Sequence, residues 1–308
     1  MLGNPRIAHT QNRRSIRPAP LLNLTPTMKF GVSTWLWTSP FRTETVALFP
    51  KIKRMGFDFI EVPVEDPALI DGSAVRRALA DHGLFPVICG AFGPTRDLTA
   101  DDPKLRDSGF DYITRSLDLA HELGGKFFAG PMYSAVGKAR LVAPEQRRIE
   151  WLRAVENLRK VAGLASDRGL QLAIEPLNRF ETDLVNTAAD VVRLVDEIAH
   201  PAARVMLDSF HMTIEERDLE AAIRSVGPRL LHVQVSENYR GTPGTGQTRW
   251  DSFKRGLDAV GYQGGISIES FTPEIKELAG AVCFWRPMAA SQDAFASDGL
   301  AFLKQALG

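Results

Sequence analysis

Arg168-Gly169-Leu170-Gln171-Leu172-Ala173-Ile174-Glu175-Pro176 holds the repeating unit of this chain in one short stretch. Upstream, Ala154-Val155-x-x-Leu158-x-x-Val161-x-x-Leu164 places apolar residues at three- and four-residue spacing, which predicts an amphipathic helix. Gly169 then stops it, since a glycine has no Cβ to clash in the left-handed conformation that ends a helix. A short apolar strand follows and terminates in a carboxylate. The same glycine stop recurs in Met55-Gly56-Phe57, His82-Gly83-Leu84 and Val260-Gly261-Tyr262. Strands are predicted at Phe30–Ser33, Phe59–Val62, Phe85–Cys89, Lys126–Ala129, Gln171–Glu175, Arg204–Asp208, Leu230–Val235 and Gly265–Glu269. Eight strand–helix units in this length predict an α/β fold of the (β/α)8 TIM-barrel type, a single domain over 28–308. A doubly wound open sheet is the alternative, but neither Gly-x-Gly-x-x-Gly after the first strand nor Gly-x-x-x-x-Gly-Lys-Ser/Thr occurs.

The chain has 308 residues and equal numbers of basic and acidic groups, 37 of each. Four of the basic ones, Arg6, Arg13, Arg14 and Arg17, fall in residues 1–27, which contain no acid. Residues 28–308 are therefore left with 33 basic groups against 37 acids, and a mildly acidic body argues against a nucleic-acid footprint. Residues 1–27 read as a disordered basic extension, with an import peptide as the rival reading; Met28-Lys29-Phe30-Gly31 has the look of a natural start. Two cysteines, Cys89 and Cys283, make no disulfide framework and predict a reducing, cytoplasmic location. No apolar run reaches the ~18 residues needed to span a membrane.

Reactive groups of such a barrel belong at the C-terminal ends of its strands. Four neighbouring predicted strands end there in polar residues: Glu175, Asp208, Gln234 in Leu231-His232-Val233-Gln234-Val235, and Glu269. An ionised carboxylate on an apolar rim needs a partner, and either an arginine or a helix cap would serve for one of them. For three at matching positions a shared divalent cation is the simpler account. Two glutamates, an aspartate and an amide oxygen suit Mn2+ or Mg2+ better than zinc. His232 shares a side of its strand with Gln234 and is either a core histidine or a support for a ligand. His211, just past Asp208, is placed to meet a ligand. Glu181 lies six residues beyond Glu175, and Arg240 lies in a polar, glycine-rich loop, where it could bind a substrate hydroxyl or carboxylate. Trp35, Trp37, Phe92, Tyr133 and Trp285 are candidate pocket walls. Glu61, at the end of the second strand, either orients a ligand or forms an ion pair and is left outside the site.

Ile174-Glu175-Pro176-Leu177-Asn178-Arg179, Leu207-Asp208-Ser209-Phe210-His211-Met212, Ser236 to Gly246, and Trp285-Arg286-Pro287 with Ser291-Gln292-Asp293 resemble the ketose 3-epimerases. These enzymes, the D-tagatose and D-allulose 3-epimerases among them, belong to the xylose-isomerase-like superfamily of sugar isomerases and epimerases. The resemblance spans nearly all of 28–308. It implies that Glu175 and Glu269 bind a metal and exchange protons with substrate carbons, and that Asp208 is a further ligand. It implies that Glu181, His211 and Arg240 contact sugar hydroxyls. One position departs: the epimerases have a metal-binding histidine where this chain has Gln234, as hydroxypyruvate isomerase and some dehydratases do.

The resemblance thus implies a carbohydrate epimerase that inverts C3 of a free ketose through a cis-enediolate, with Mn2+ first and Mg2+ or Co2+ as alternatives. Rival expectations are a hydroxypyruvate-type isomerase, a lyase or dehydratase acting on a sugar derivative, and a non-catalytic sugar-binding barrel. The superfamily also resembles an endonuclease of abasic DNA whose zinc cluster needs several histidines; 28–308 has five and a net acidic charge, which disfavours it. No Lys/Arg cluster marks a phosphate clamp, so a free sugar is the expected partner, with neither nucleic acid nor membrane. A homodimer or homotetramer is expected by resemblance, with 273–287 as a candidate contact or lid.

Overall fold

The computed structural model describes residues 28–308; the expectation for 1–27 lies outside the described residues. Eight strands form the barrel: β1 Lys29–Ser33, β2 Phe59–Val64, β3 Phe85–Gly90, β4 Phe127–Gly130, β5 Gln171–Ile174, β6 Ala203–Asp208, β7 Leu230–Val235 and β8 Gly265–Ile268. Each pairs in parallel with the next, and β8 pairs with β1 to close the ring. The surrounding helices are α1 Phe49–Met55, α2 Gly72–His82, α3 Pro103–Leu123, α4 Pro144–Asp167 and α5 Ala188–Ile198. They continue as α6 Ser209–Glu215, α7 Leu219–Val226, α8 Trp250–Ala259, α9 Lys276–Ala281 and α10 Gln292–Ala306. The expected (β/α)8 barrel is the observed fold, and every expected strand falls within one or two residues of a real one. The glycine stops also form as expected: Gly56 and Gly83 close α1 and α2 at φ values of 94° and 58°.

Two cores result from the period-two alternation of the strands. The larger lies between sheet and helices and includes Val62, Ile88, Leu172, Val205, Val233 and Ile268. A small one joins Cys89, Ala129, Ala173 and Met206, one residue from each of four successive strands, as expected of a layer of side chains inside the barrel. Three of these, Cys89, Ala129 and Ala173, are small and leave room for larger polar residues on β2 and β7. The Phe59 ring is accommodated the same way. A Cβ built on Gly31 or Gly265 would come within 2.1 Å and 2.6 Å of its carbons, so β1 and β8 both need glycine there. His232 packs edge-on against that ring at 6.2 Å, and the Phe127 ring lies 5.1 Å away.

Beyond the strands, Glu65 ties the first loop to the end of β2, accepting from Trp35 Nε1 at 2.6 Å, Ser39 Oγ at 2.7 Å and Phe41 N–H at 2.9 Å. Glu237 organises the loop after β7. Its carboxylate accepts from the N–H groups of Gly244 and Thr248 and from Trp250 Nε1, at 2.7, 3.0 and 2.8 Å. Burial alone would raise its pKa, but these bonds outweigh burial and hold it below the ordinary carboxylate value. Among the described residues no helix is long and apolar enough to cross a membrane.

Gly31→Val should lower stability by about 1–3 kcal/mol through overpacking against Phe59. An unchanged urea midpoint would show that the ring has room to move.

Candidate active site

At the end of β6, Asp208 begins α6 and accepts the Phe210 N–H through Oδ1 at 2.7 Å, which anchors the carboxylate. Its second oxygen meets Arg240 Nη1 at 2.6 Å. The same Arg240 nitrogen lies 3.0 Å from Glu269 Oε2. Glu175 and Glu269 each sit one residue beyond a strand, yet their N–H groups still bond across to Gly130 and Val235, so both extend the rim of the barrel. His211 follows in the first turn of α6, with Nε2 3.6 Å from Glu175 Oε1. Glu175, Asp208, His211, Gln234, Arg240 and Glu269 are all buried, while Glu181 is half-buried. The structure therefore brings these candidates to one corner of the barrel mouth. Glu181 reaches it through Asn178, whose Nδ2 donates to Glu181 Oε1 at 2.8 Å and lies 2.8 Å from His211 Nδ1.

Arg240 is held for this task by strained backbone and stacked rings. Its φ is 61°, a left-handed value uncommon for a residue with a Cβ. Its N–H donates to Glu237 O at 2.8 Å, and its carbonyl accepts from Ser270 Oγ at 2.7 Å. The guanidinium stacks 4.2 Å over Phe210 and 5.4 Å over Phe271. Phe271 in turn belongs to a satellite core with Leu278 and Phe284, packed beneath the 273–287 segment together with Trp35.

His211 has donors at both nitrogens. The Asn178 main-chain N–H, 3.1 Å from Nδ1, cannot turn away, so Nδ1 is the acceptor and Nε2 carries the hydrogen. Burial and Arg240 lower its pKa although nearby carboxylates pull upward, which keeps the ring neutral at neutral pH.

The carboxylates divide. Asp208 stays below its ordinary pKa because Arg240 and His211 outweigh burial. Glu175 is pushed well up by burial and by the charges of Glu269 and Asp208. Burial raises Glu269 to about 8, despite Arg240. Arg240 itself is raised, since its acidic neighbours outweigh burial.

This donor set fits a divalent cation. Glu175, Asp208 and His211 each offer a ligand atom, all within 4.8 Å of one another, although the Nε2 hydrogen makes His211 a donor rather than a ligand. Gln234 supplies the sharper observation. Its Nε2 donates to Glu61 Oε2 at 2.8 Å and Glu269 Oε1 at 3.1 Å, while its buried Oε1 has no hydrogen-bond partner among the described residues. A buried carbonyl oxygen left bare among carboxylates is what a cation would satisfy.

Sequence reasoning left out Glu61, which is fully buried and also meets His232 Nε2 at 2.8 Å. It missed Asn178, Phe210 and Phe271 as well; only the nearness of the first two to Glu175 and Asp208 in sequence hinted at them. The aromatic wall is corrected in part. Phe92 and Tyr133 belong to the main core, with Phe92 packed on Tyr112 at 5.5 Å, and Trp285 is 71% exposed.

A barrel whose rim carries paired glutamates of raised pKa beside a fixed guanidinium is suited to acid–base chemistry. The xylose isomerase-like TIM barrel family model matches residues 49–306, and the chain belongs to that family. A ketose 3-epimerase of Arthrobacter globiformis is 31% identical over 283 residues, 91% of this chain and 97% of its own length. A D-psicose 3-epimerase of Agrobacterium fabrum is 30% identical over 291 residues, 91% of this chain and all of its own. The crystal structure of a D-allulose 3-epimerase from Methylomonas sp. superposes with a TM-score of 0.86 at 30% identity, covering 92% of this chain and 99% of that one. The chain is accordingly an isomerase of the carbohydrate epimerase group.

A raised folded pKa means that the folded protein keeps a proton the unfolded chain has released. The stability this gives is complete below the ordinary carboxylate range and is lost as pH climbs toward about 8. Chelator-treated protein should therefore melt lower at about pH 8.5 than at about pH 6, and Glu269→Gln should flatten that slope. Identical slopes in the two proteins would contradict the assignment of this proton to Glu269.

Proposed function

We propose that this enzyme inverts C3 of a free ketose, with Glu175 and Glu269 as the acid–base pair on opposite faces of the substrate. The observation that carries the reading is the pairing of two buried glutamates, both biased toward the protonated form, at the ends of β5 and β8. Two strands separate them on one side of the ring and four on the other, so they approach a bound molecule from different directions. One glutamate, as carboxylate, takes the C3 proton to give an enediolate. The other, as carboxylic acid, returns a proton from the opposite face, and inversion follows. The two end with their protonation exchanged, which suits the reverse reaction.

Glu175, Asp208, Gln234 and Glu269 would hold one divalent cation, Mn2+ first and Mg2+ or Co2+ as alternatives. When bound there, such an ion supplies Lewis acidity that eases loss of a proton next to a carbonyl. Arg240 Nη2 and His211 Nε2 lie 3.1 Å apart. With the hydrogen on Nε2 these are two donors facing one spot, an unfavourable approach that a substrate oxygen between them would relieve. Glu181, fixed by Asn178, would accept from a neighbouring sugar hydroxyl.

Gln234, in place of the histidine of the resembling epimerases, keeps a second reading: a hydroxypyruvate-type isomerase, or a lyase or dehydratase of a sugar derivative. Product analysis with ketoses, hydroxypyruvate and 3-keto-glycosides separates the two readings.

Mn2+-loaded enzyme in deuterium oxide should place deuterium at C3 of a ketose as the epimer forms. Glu175→Gln and Glu269→Gln should each cut kcat by about 10²–10⁴. If no ketose exchanges its C3 proton, the epimerase reading fails.

A further inference from the structure

Inside the barrel, next to the rim carboxylates, Glu61 on β2 and His232 and Gln234 on β7 form a sealed polar network. Their relative exposures are 0%, 1% and 0%. Glu61 Oε1 is 2.8 Å from His232 Nε2, and Glu61 Oε2 accepts from Gln234 Nε2 at 2.8 Å. The other Nε2 hydrogen goes to Glu269 Oε1 at 3.1 Å. Both hydrogens of the amide are therefore committed to carboxyl oxygens, and Oε1, at the other end of the amide, has no partner among the described residues.

We propose that Glu61 is a positioning residue: it fixes the orientation of the Gln234 amide so that the oxygen, not the NH2 group, faces the cation. The proposal rests on the metal-centred reading of the preceding section. An amide has two nearly isosteric ends, so nothing in its shape decides which one enters a site. Here the acceptors decide. Turning the amide over would press Oε1 against the oxygens of Glu61 and Glu269 and forfeit both hydrogen bonds. It would also aim an NH2 group at a cation. Glu61 cannot swing aside, because His232 holds its second oxygen, and His232 is packed between Phe59 and Phe127. Glu269 alone would make a weak guide, since its second oxygen is engaged by Arg240 at 3.0 Å and it is itself a proposed ligand. Orientation of a ligand by a fixed neighbour of this kind is typically worth tenfold or more in metal affinity.

The test is Mn2+ titration of chelator-treated full-length protein by calorimetry, with thermal melts to confirm folding. The proteins are the wild type, Glu61→Leu, Glu61→Gln, Gln234→Ala and the corresponding double variants. Wild type should bind one Mn2+, and Glu61→Leu should weaken binding about tenfold to a hundredfold. Glu61→Gln, which keeps one acceptor, should lose less in the same direction and serves if the leucine variant does not fold. In the Gln234→Ala background the Glu61 substitutions should leave Mn2+ affinity nearly unchanged, because the residue acts through the amide. Equal losses in both backgrounds, or no loss in either, would overturn the positioning role while leaving the metal site standing. Absence of Mn2+ binding by wild type would instead overturn the metal-centred reading and this proposal with it.

Discussion

Four buried carboxylates, those of Glu61, Glu175, Asp208 and Glu269, share one end of this barrel with one buried guanidinium, Arg240. Most of what is distinctive about the site follows from that imbalance. An ionised carboxylate out of water is costly unless paired, so the four find different solutions. Asp208 takes a helix N-terminus and the arginine, and stays ionised. Glu61 takes two N–H donors from β7. Glu175 has His211 Nε2 at 3.6 Å and Glu269 shares Arg240 with Asp208, and burial raises the pKa of both. Residues of that kind are useful for moving protons, and the same surplus of negative charge invites a cation.

The fold makes the imbalance possible. A closed parallel ring sends alternate side chains inward, and glycine, alanine and cysteine at several inward positions leave space for Phe59, Glu61, His232 and Gln234. Rigidity comes from outside as well. Arg240 is fixed by a left-handed backbone, by Glu237 and Ser270, and by stacking on Phe210 and Phe271. Its charge is thus presented at a defined point rather than on a mobile stem. That matters because a guanidinium free to reach solvent would not balance the carboxylates below it.

Gln234 stands where the resembling epimerases have a histidine, and the two side chains would serve a cation differently. Histidine offers one lone pair whose direction is set by the ring. Glutamine offers an oxygen that is reliable only when its NH2 end is tied. In this chain two carboxylates tie it, which links β2, β7 and β8 through a single amide.

The sequence by itself determined the barrel and its rim. Strand alternation, helical spacing and glycine stops are local signals, and they located all eight strands and the polar residues at their ends. Glu175, Asp208, Gln234, Glu269, His211 and Arg240 were all visible there as candidates. Only the tertiary structure decided who touches whom. Glu61 and His232 are 171 positions apart and meet because the ring closes. Tyr133, next to the strand end, turned into the core, and Phe271, unmarked in the sequence, became a wall for Arg240. The amide of Gln234 has no orientation in a sequence at all. Periodicity tells which side of a strand a residue faces, but charge balance and packing inside a closed barrel depend on partners from strands far apart in the chain.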